Sequence, residues 1–256
     1  ITPSGNKNEA LPVIAATLLA EEPVILHNLP DIIDIAIMRE LLVSLGVEVE
    51  QIDKHTYRFD SSKLNSTVPD SEQAERIRGS FLLAGPLLAR KKSIDLPAPG
   101  GDRIGLRPVH THLFALEKLG ASIVLNENSH YQMRTPGLKG TEIYLDEASV
   151  MATENTIMAS VTAKGKTSIY NAACEPHVQG LCHFLVMLGA KIDGIGSNLL
   201  LIEGVSGLAG GDYTIQPDHT EVGSFIGLAV VTGSELRIKN AGIKYLRMTR
   251  LMFEKL

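Results

Sequence analysis

Hydrophobic residues along this chain recur in blocks that fit buried helices, and a short strand-like run follows each block. Four stretches rich in Ala, Leu, Ile and Val have the length and apolar content typical of helices that pack on most of their sides. Each is followed by a few strand-forming residues. The predicted helices span residues 10–20, 77–89, 154–163 and 222–231, and the predicted strands span residues 24–26, 93–96, 167–170 and 235–238.

The dipeptide Leu-Gly is a second landmark, and it ends a further predicted helix in each of three units. Successive copies are 74 and 69 residues apart. An alternating strand follows each copy, so the chain is predicted to repeat a unit of helix, strand, turn, helix, Leu-Gly and strand with a period near 70 residues. The copies lie at Leu45–Gly46, Leu119–Gly120 and Leu188–Gly189, and the strands at residues 47–50, 121–125 and 190–193.

Three complete units suffice for one domain, because each unit can bury its helices only against copies of itself. We therefore expect an α/β domain at residues 7–216, with helices inside and sheets around them, and a partial second domain at residues 217–256 together with 1–6. The fourth unit stops in its second helix, predicted from Tyr245, which favours a truncated chain. A glycine cluster between residues 205 and 218 predicts a linker that proteases cut first.

Composition and charge exclude several classes of protein. With 256 residues, 44% of them hydrophobic and 21% charged, the chain can bury a sizeable core. A net charge of −5 without a basic run argues against nucleic-acid binding. The sequence has neither an apolar run of membrane-spanning length nor a signal-peptide pattern, so we expect a cytoplasmic protein with no membrane partner. Two cysteines do not make a disulfide framework, and no oligomeric state is indicated.

The stretch from Gly100 to His112 holds the densest candidate chemistry. It contains three glycines within six residues, a carboxylate, two guanidiniums and two imidazoles. Glycines at this density predict a loop that a ligand can approach closely, and Pro108 is predicted to be the first residue of the helix that follows. A helix N-terminus behind an Arg-bearing loop suits a phosphate, although an ordinary basic surface loop fits the same residues equally well.

Further polar groups lie near predicted helix starts. Lys7 and Asn8 precede the first helix and are suited to an anion and a hydroxyl, while a solvated turn is the commoner use of such residues. Arg78 begins the second apolar helix, where Gly79 leaves it room to face a ligand and a surface ion pair is the ordinary alternative. Asp218 is predicted to cap the fourth helix.

Two cysteines and two histidines invite comparison with a zinc site. Cys174 and His177 have metal-like spacing, but Cys182 and His183 are neighbours inside a predicted helix and point in different directions. We therefore expect no metal site.

Five motifs follow one another along the whole chain: Ser4–Pro12, Gly85–Arg90, Gly100–His112, Ala152–Asn155, and Pro217–Asp218 with Glu221 and Gly223. Taken in this order, they resemble the UDP-N-acetylglucosamine enolpyruvyl transferase family. The resemblance implies an inside-out α/β barrel with two domains of three repeats each, so the chain corresponds to one domain and the first part of the other. It also implies a cytoplasmic enzyme of peptidoglycan synthesis that uses phosphoenolpyruvate and UDP-N-acetylglucosamine and needs no cofactor.

The resemblance implies roles for individual residues as well. Asp102 takes the place of the loop cysteine that protonates C3 of phosphoenolpyruvate in most members, and Lys7 and Arg107 join it as catalytic residues. The sugar 3-hydroxyl then attacks C2 and phosphate leaves. The general base, an aspartate of the other domain, is implied to lie beyond Leu256. Substrate contacts are implied for Asn8, Arg78, Pro108, Val109, His112, Ser149 and Val150.

Four positions depart from the family pattern. Glu147 stands where a Lys is usual, Met151 where a Gly is usual, His110 where an Asp is usual, and His177 where a second acid often follows Glu-Pro. Several of them belong to the surroundings of the nucleotide pocket, so the acceptor stays open. Two alternatives remain: a paralogous enolpyruvyl transferase acting on another nucleotide, and a domain that binds a nucleotide sugar without turnover.

Overall fold

Helices make up the interior of the molecule, as three of the four hydrophobic blocks predict; the fourth block, residues 222–231, is helical too, but Val222 is its only buried residue. The structure is a computed structural model that describes residues 1–101, 105 and 108–255. Within these residues no helix combines the length and apolar character that crossing a bilayer requires. The α-helices are α1 (Lys7–Ala16), α2 (Ile33–Ser44), α3 (Ser71–Ala74), α4 (Ala84–Lys91), α5 (His110–Lys118), α6 (Val150–Ser160), α7 (Pro176–Met187), α8 (His219–Thr232) and α9 (Arg247–Glu254); 3₁₀ helices span Thr17–Leu19, Arg78–Leu83 and Ile243–Tyr245.

Helices α1, α4 and α6 form the inner layer. Ile14 on α1, Leu87 on α4 and Ile157 on α6 have no exposed surface, and most other residues of these helices are also buried. A helix that is buried on most sides is stable only when other elements surround it, and the blocks at residues 10–20, 77–89 and 154–163 predict such helices. Their prediction as buried helices is confirmed.

The three Leu-Gly dipeptides end α2, α5 and α7 with the same cap. Gly46, Gly120 and Gly189 have φ angles of 95°, 99° and 107°, which only glycine adopts without strain. In the first copy the Gly46 N–H donates to the Val43 carbonyl and the Val47 N–H to the Leu42 carbonyl, and the other two copies repeat both bonds. This is the Schellman arrangement, which closes a helix and turns the chain into the next strand.

Three sheets cover the inner helices, one for each repeat. Each sheet has its strands in the same spatial order: the first, third and second strand of the unit. The strands are β1 (Val24–His27), β2 (Glu48–Asp53), β3 (Thr56–Asp60), β4 (Ser93–Pro97), β5 (Ser122–Leu125), β6 (His130–Arg134), β7 (Glu142–Tyr144), β8 (Lys166–Tyr170), β9 (Lys191–Asp193), β10 (Leu199–Glu203) and β11 (Gly211–Thr214); the sheets are ordered β11-β1-β3-β2, β4-β6-β5 and β7-β8-β10-β9.

Parallel pairings between units tie the three repeats into a ring. The last strand of the second unit, β7, pairs with β8 of the third, and the last strand of the third unit, β11, returns to pair with β1 of the first. The first unit reaches the second through a bond from the Asp95 N–H to the Thr67 carbonyl. The prediction of an irregular linker is therefore wrong over residues 211–214, because these residues form β11 and complete the sheet of the first unit. The site of first proteolytic cleavage stays a prediction.

Two other local predictions are wrong. Residues 235–238 do not form the predicted strand. Two backbone bonds join this segment to Ile1, from the Ile1 N-terminus to the Arg237 carbonyl and from the Lys239 N–H to the Ile1 carbonyl, but among the described residues they do not extend into a longer ladder. Helix α5 begins at His110 with Val109 as its cap, so Pro108 precedes the helix rather than opening it. The division into domains at residues 216 and 217 stays a prediction.

Candidate functional site

A cleft of about 410 Å³ opens where the first residues of the inner helices meet. Lys7 is the first residue of α1, Arg78 the first of the 3₁₀ helix that leads into α4, and Val150 the first of α6. One residue from each of the three repeats thus faces a common space. The described residues that line it are Lys7, Asn8, Leu11, Pro12, Asp34, Arg76, Ile77, Arg78, Gly79, Leu82, Gly101, Val150, Met151, Glu154 and His177.

Convergent helix N-termini give the cleft a positive character. Free backbone N–H groups and the helix dipole favour anions at such ends. Lys7 and Arg78 add full positive charges. Lys7 Nζ lies 3.1 Å from Asp34 Oδ2 in a half-exposed ion pair, and Arg78 Nη2 donates to the Pro108 carbonyl oxygen at 3.2 Å. The arrangement is suited to a phosphate or carboxylate.

The start of α1 is fixed by a buried acid, Glu9. Asn6 caps the helix by accepting from the Glu9 N–H at 3.1 Å. The Glu9 carboxyl lies 2.9 Å from the Tyr213 hydroxyl and 3.3 Å from the Gln216 N–H, and Gly180 leaves room for it against α7. Burial raises the pKa of Glu9 to about 7, against the hydrogen bonds from Tyr213 and Gln216. This network holds Lys7 and Asn8 in position at the cleft.

Beneath the cleft, Asn155 connects the inner helices. Its Oδ1 accepts from the Gly85 N–H at 2.8 Å, and its Nδ2 donates to the Phe81 carbonyl at 2.8 Å and lies 2.9 Å from His112 Nδ1. His112 is buried, and this burial, followed by the charges of Arg78 and His110, lowers its pKa to about 3. The ring is therefore a neutral part of the core.

The start of α5 is joined to the segment before α6 through Asp146. Thr111 Oγ1 donates to Asp146 Oδ1 at 2.8 Å, and His110 Nε2 lies 3.1 Å from Asp146 Oδ2. The Thr111 bond is the main reason that the pKa of Asp146 is lowered. Ser149 then caps α6 by accepting from the Ala152 N–H at 3.4 Å. The substrate contacts predicted on both segments are thus held beside each other.

The structure brings together some of the predicted site residues and leaves others apart. Lys7, Asn8, Arg78 and Val150 line the cleft. Pro108 lies next to the cleft, because its carbonyl oxygen accepts from Arg78, and Ser149 lies next to it as the N-cap of α6. The described lining does not include Val109 or His112. Asp102 and Arg107, the predicted acid and its neighbour, lie outside the described residues. All of these roles stay predictions.

Sequence reasoning assigned no ligand role to several residues that line the cleft. Glu154 and His177 are the most informative, because both are buried in it. The available signal for Glu154 was its place in the motif Ala152–Asn155. His177 was considered for zinc, but among the described residues no group of three His, Cys, Asp or Glu side chains is placed to hold a metal ion. Asp34 and Arg76 carried no cue.

Comparison with known proteins agrees with this fold. The enolpyruvyl transferase NikO from Streptomyces tendae superimposes with a TM-score of 0.78 at 24% identity, covering 88% of this chain and 53% of that one. The EPSP synthase from Acinetobacter baumannii superimposes with a TM-score of 0.72 at 21% identity, covering 90% of this chain and 52% of that one. These likenesses confirm the predicted fold class, the α/β fold of the enolpyruvyl transferase type.

Curated relatives match along the whole chain. The UDP-N-acetylglucosamine 1-carboxyvinyltransferase of Bradyrhizobium diazoefficiens is 51% identical over 256 residues, and that of Treponema denticola is 48% identical over 256 residues. Each alignment covers all of this chain but only 59% and 60% of the respective relative, so the chain spans about 60% of their length. The family model for EPSP synthase (3-phosphoshikimate 1-carboxyvinyltransferase) matches residues 1–256, and the chain therefore belongs to this family.

Proposed function

We propose that this chain, as part of a longer protein, transfers the enolpyruvyl group of phosphoenolpyruvate to the 3-hydroxyl of UDP-N-acetylglucosamine. The observation that carries the proposal is the convergence of three helix N-termini, one from each repeat, on a cleft that also holds Lys7 and Arg78. The names of relatives at 45–51% identity support the choice of substrates. The reaction would be the first committed step of peptidoglycan synthesis in the cytoplasm, and so bear on cell shape and division.

The electrostatics of the cleft suit these two substrates. Phosphoenolpyruvate carries a phosphate and a carboxylate, and the nucleotide sugar carries a diphosphate. Lys7, Arg76 and Arg78 supply side-chain charge along one cleft, and the helix ends add backbone donors. A substrate anion beside Lys7 would take the place of Asp34 as its ion-pair partner, so Lys7 would keep a negative partner when water leaves the cleft.

Chemistry at the enolpyruvyl group requires an acid, and we assign this role to Asp102. Its carboxyl would give a proton to C3, so that C2 becomes electrophilic. The 3-hydroxyl would attack C2 and lose its proton to a general base, which gives a tetrahedral ketal. Loss of phosphate together with one C3 proton would then restore the C2–C3 double bond of the transferred enolpyruvyl group. A solvated Asp with a pKa of about 3.9 is ionised at neutral pH, so Asp102 can act only when its surroundings exclude water and raise its pKa. Arg107 would hold the charge of the departing phosphate.

A chimera tests the proposal directly. Residues 1–256 replace the aligned part of the Bradyrhizobium relative, and phosphate release is measured with phosphoenolpyruvate and UDP-N-acetylglucosamine. We expect release that requires both substrates and that Lys7→Ala abolishes, while the 256-residue chain alone releases none. A folded chimera that binds the nucleotide sugar without releasing phosphate would identify a binding domain instead.

The same assay tests the alternative that the acceptor is another nucleotide. Met151 and His177, two of the positions that depart from the family pattern, both line the cleft. Turnover with a different uridine nucleotide, and none with UDP-N-acetylglucosamine, would favour the paralogous transferase.

A further inference from the structure

Two buried polar atoms in the cleft have no hydrogen-bond partner within the described part of the chain. They are Oε1 of Glu154 on α6 and Nδ1 of His177 on α7. Glu154 is 1% exposed and His177 is 8% exposed, yet both side chains belong to the lining of the cleft. Buried polar groups in folded proteins are nearly always paired, so two orphans in one cleft call for an explanation.

The fold itself gains nothing from these two atoms. An unpaired buried carboxyl destabilises the folded chain, and a Met side chain of similar length would fill the same space without that penalty. The His177 ring does have a packing role, since it stacks on His219 with centroids 6.0 Å apart. A phenylalanine would keep that stacking and lack only the ring nitrogens.

Burial favours the uncharged form of both groups in the folded chain. Burial, reinforced by the charge of Glu175, raises the pKa of Glu154 well above its usual value. Burial also lowers the pKa of His177. A neutral carboxyl can donate and accept, and a neutral imidazole offers one donor and one acceptor. Such a pair matches hydroxyl and amide groups, whereas the cations Lys7 and Arg78 match anions.

We propose that Glu154 and His177 form a subsite that hydrogen-bonds the uncharged sugar of the nucleotide-sugar acceptor, through its hydroxyl or amide groups, and thereby determine acceptor specificity. This inference rests on the proposed function, because it assumes that the cleft takes a nucleotide sugar. Met151, also in the lining, would form an apolar wall beside the subsite.

The test uses the 256-residue chain and two probes, UDP-N-acetylglucosamine and UDP, titrated to millimolar concentration and followed by NMR. The variants are Glu154→Met and His177→Phe, which remove the polar atoms at nearly constant shape, and Glu154→Gln, which keeps a neutral donor and acceptor. Thr156→Val is the matched control: Thr156 is buried on the same helix, does not line the cleft, and donates to the Ala152 carbonyl at 2.7 Å.

We expect UDP-N-acetylglucosamine to bind more tightly than UDP. Glu154→Met and His177→Phe should each weaken its binding about threefold to tenfold and leave UDP unchanged, as for loss of one hydrogen bond. Glu154→Gln should keep most of the affinity, and Thr156→Val all of it. Glu154→Met should also raise the Tm, because it removes an unpaired buried group.

Several results would overturn the inference. These are no binding of the sugar nucleotide, equal affinity losses for both probes, unchanged affinity in both variants, or a lower Tm for Glu154→Met, which would mean that a fixed water or another group already pairs with the carboxyl. The chimera distinguishes a failure of this inference from a failure of the proposed function. Normal phosphate release by the Glu154→Met chimera, with an unchanged KM for UDP-N-acetylglucosamine, would rule out the subsite and leave the proposed function standing. A wild-type chimera without turnover would refute the proposed function.

Discussion

Replacing Glu9 by Gln should remove a pH dependence of stability that the wild-type chain carries. Glu9 is 1% exposed, and its pKa is raised from 4.5 to about 7, chiefly because the charged form is desolvated. Gln has nearly the same shape and can still accept from the Tyr213 hydroxyl and the Gln216 N–H. The substitution therefore changes the titration while preserving the contacts.

The magnitude follows from proton linkage. Below the unfolded pKa of 4.5, Glu9 is protonated in both states, and its neutral form is fully compatible with burial. As the pH rises toward 7, the unfolded chain releases the proton while the folded chain retains it, so the free energy of unfolding falls. A difference of 2.5 pKa units corresponds to about 3 kcal/mol, an order-of-magnitude loss that is complete above the folded pKa.

Urea unfolding of the wild type and of Glu9→Gln, at intervals from about pH 4 to pH 8, measures this loss as the difference between the two stabilities. The buried neutral His112 acts in the opposite direction, because its lowered pKa makes the fold less stable as the pH falls below the unfolded value of 6.5, but it is present in both proteins and cancels. Glu117→Gln, at an exposed position of α5, is the control and should show no comparable difference. A wild-type minus Glu9→Gln difference that stays constant with pH would refute the argument that burial holds Glu9 neutral.

Three further predictions concern packing and inhibition. Gly85→Ala should lower the free energy of unfolding by about 1–3 kcal/mol, because the new Cβ would lie 2.4 Å from the Asn155 carbonyl oxygen. Gly223→Ala on α8, where the nearest atom is 3.7 Å away, should raise the free energy of unfolding by about 0.5–1 kcal/mol. Equal effects of the two substitutions in urea unfolding would contradict this. Asn155→Ala should lower the free energy of unfolding by about 1–3 kcal/mol, since the Gly85 N–H loses its acceptor, and an unchanged unfolding midpoint would show that the bond is dispensable. In the active chimera, Asp102 should confer resistance to fosfomycin, because a carboxylate opens an epoxide far less readily than a thiolate, and Asp102→Cys should restore sensitivity; an adduct on the Asp102 loop by mass spectrometry would disprove the assignment.

The sequence by itself determined the repeat and the fold class. The Leu-Gly dipeptides mark three helix ends because a left-handed residue is needed to close each helix, and glycine adopts that conformation without strain. The buried helices could also be predicted from the sequence, since an apolar stretch such as residues 10–20 is stable only in the interior. The resemblance also singled out Lys7, Asn8, Arg78 and Val150, which share one cleft.

Only the tertiary structure decided what the repeats do to one another. The segment 211–214 is short and begins with a glycine, and it becomes a strand only because it can pair in parallel with β1, which lies far away in the sequence. The segment 235–238 makes two backbone bonds to the single residue Ile1, and among the described residues it stays irregular. That Glu154 Oε1 and His177 Nδ1 have no hydrogen-bond partner among the described residues likewise depends on which groups the neighbouring helices bring near them. Local preference is written in the sequence, whereas pairing, burial and the lack of a partner arise from contacts between distant parts of the chain.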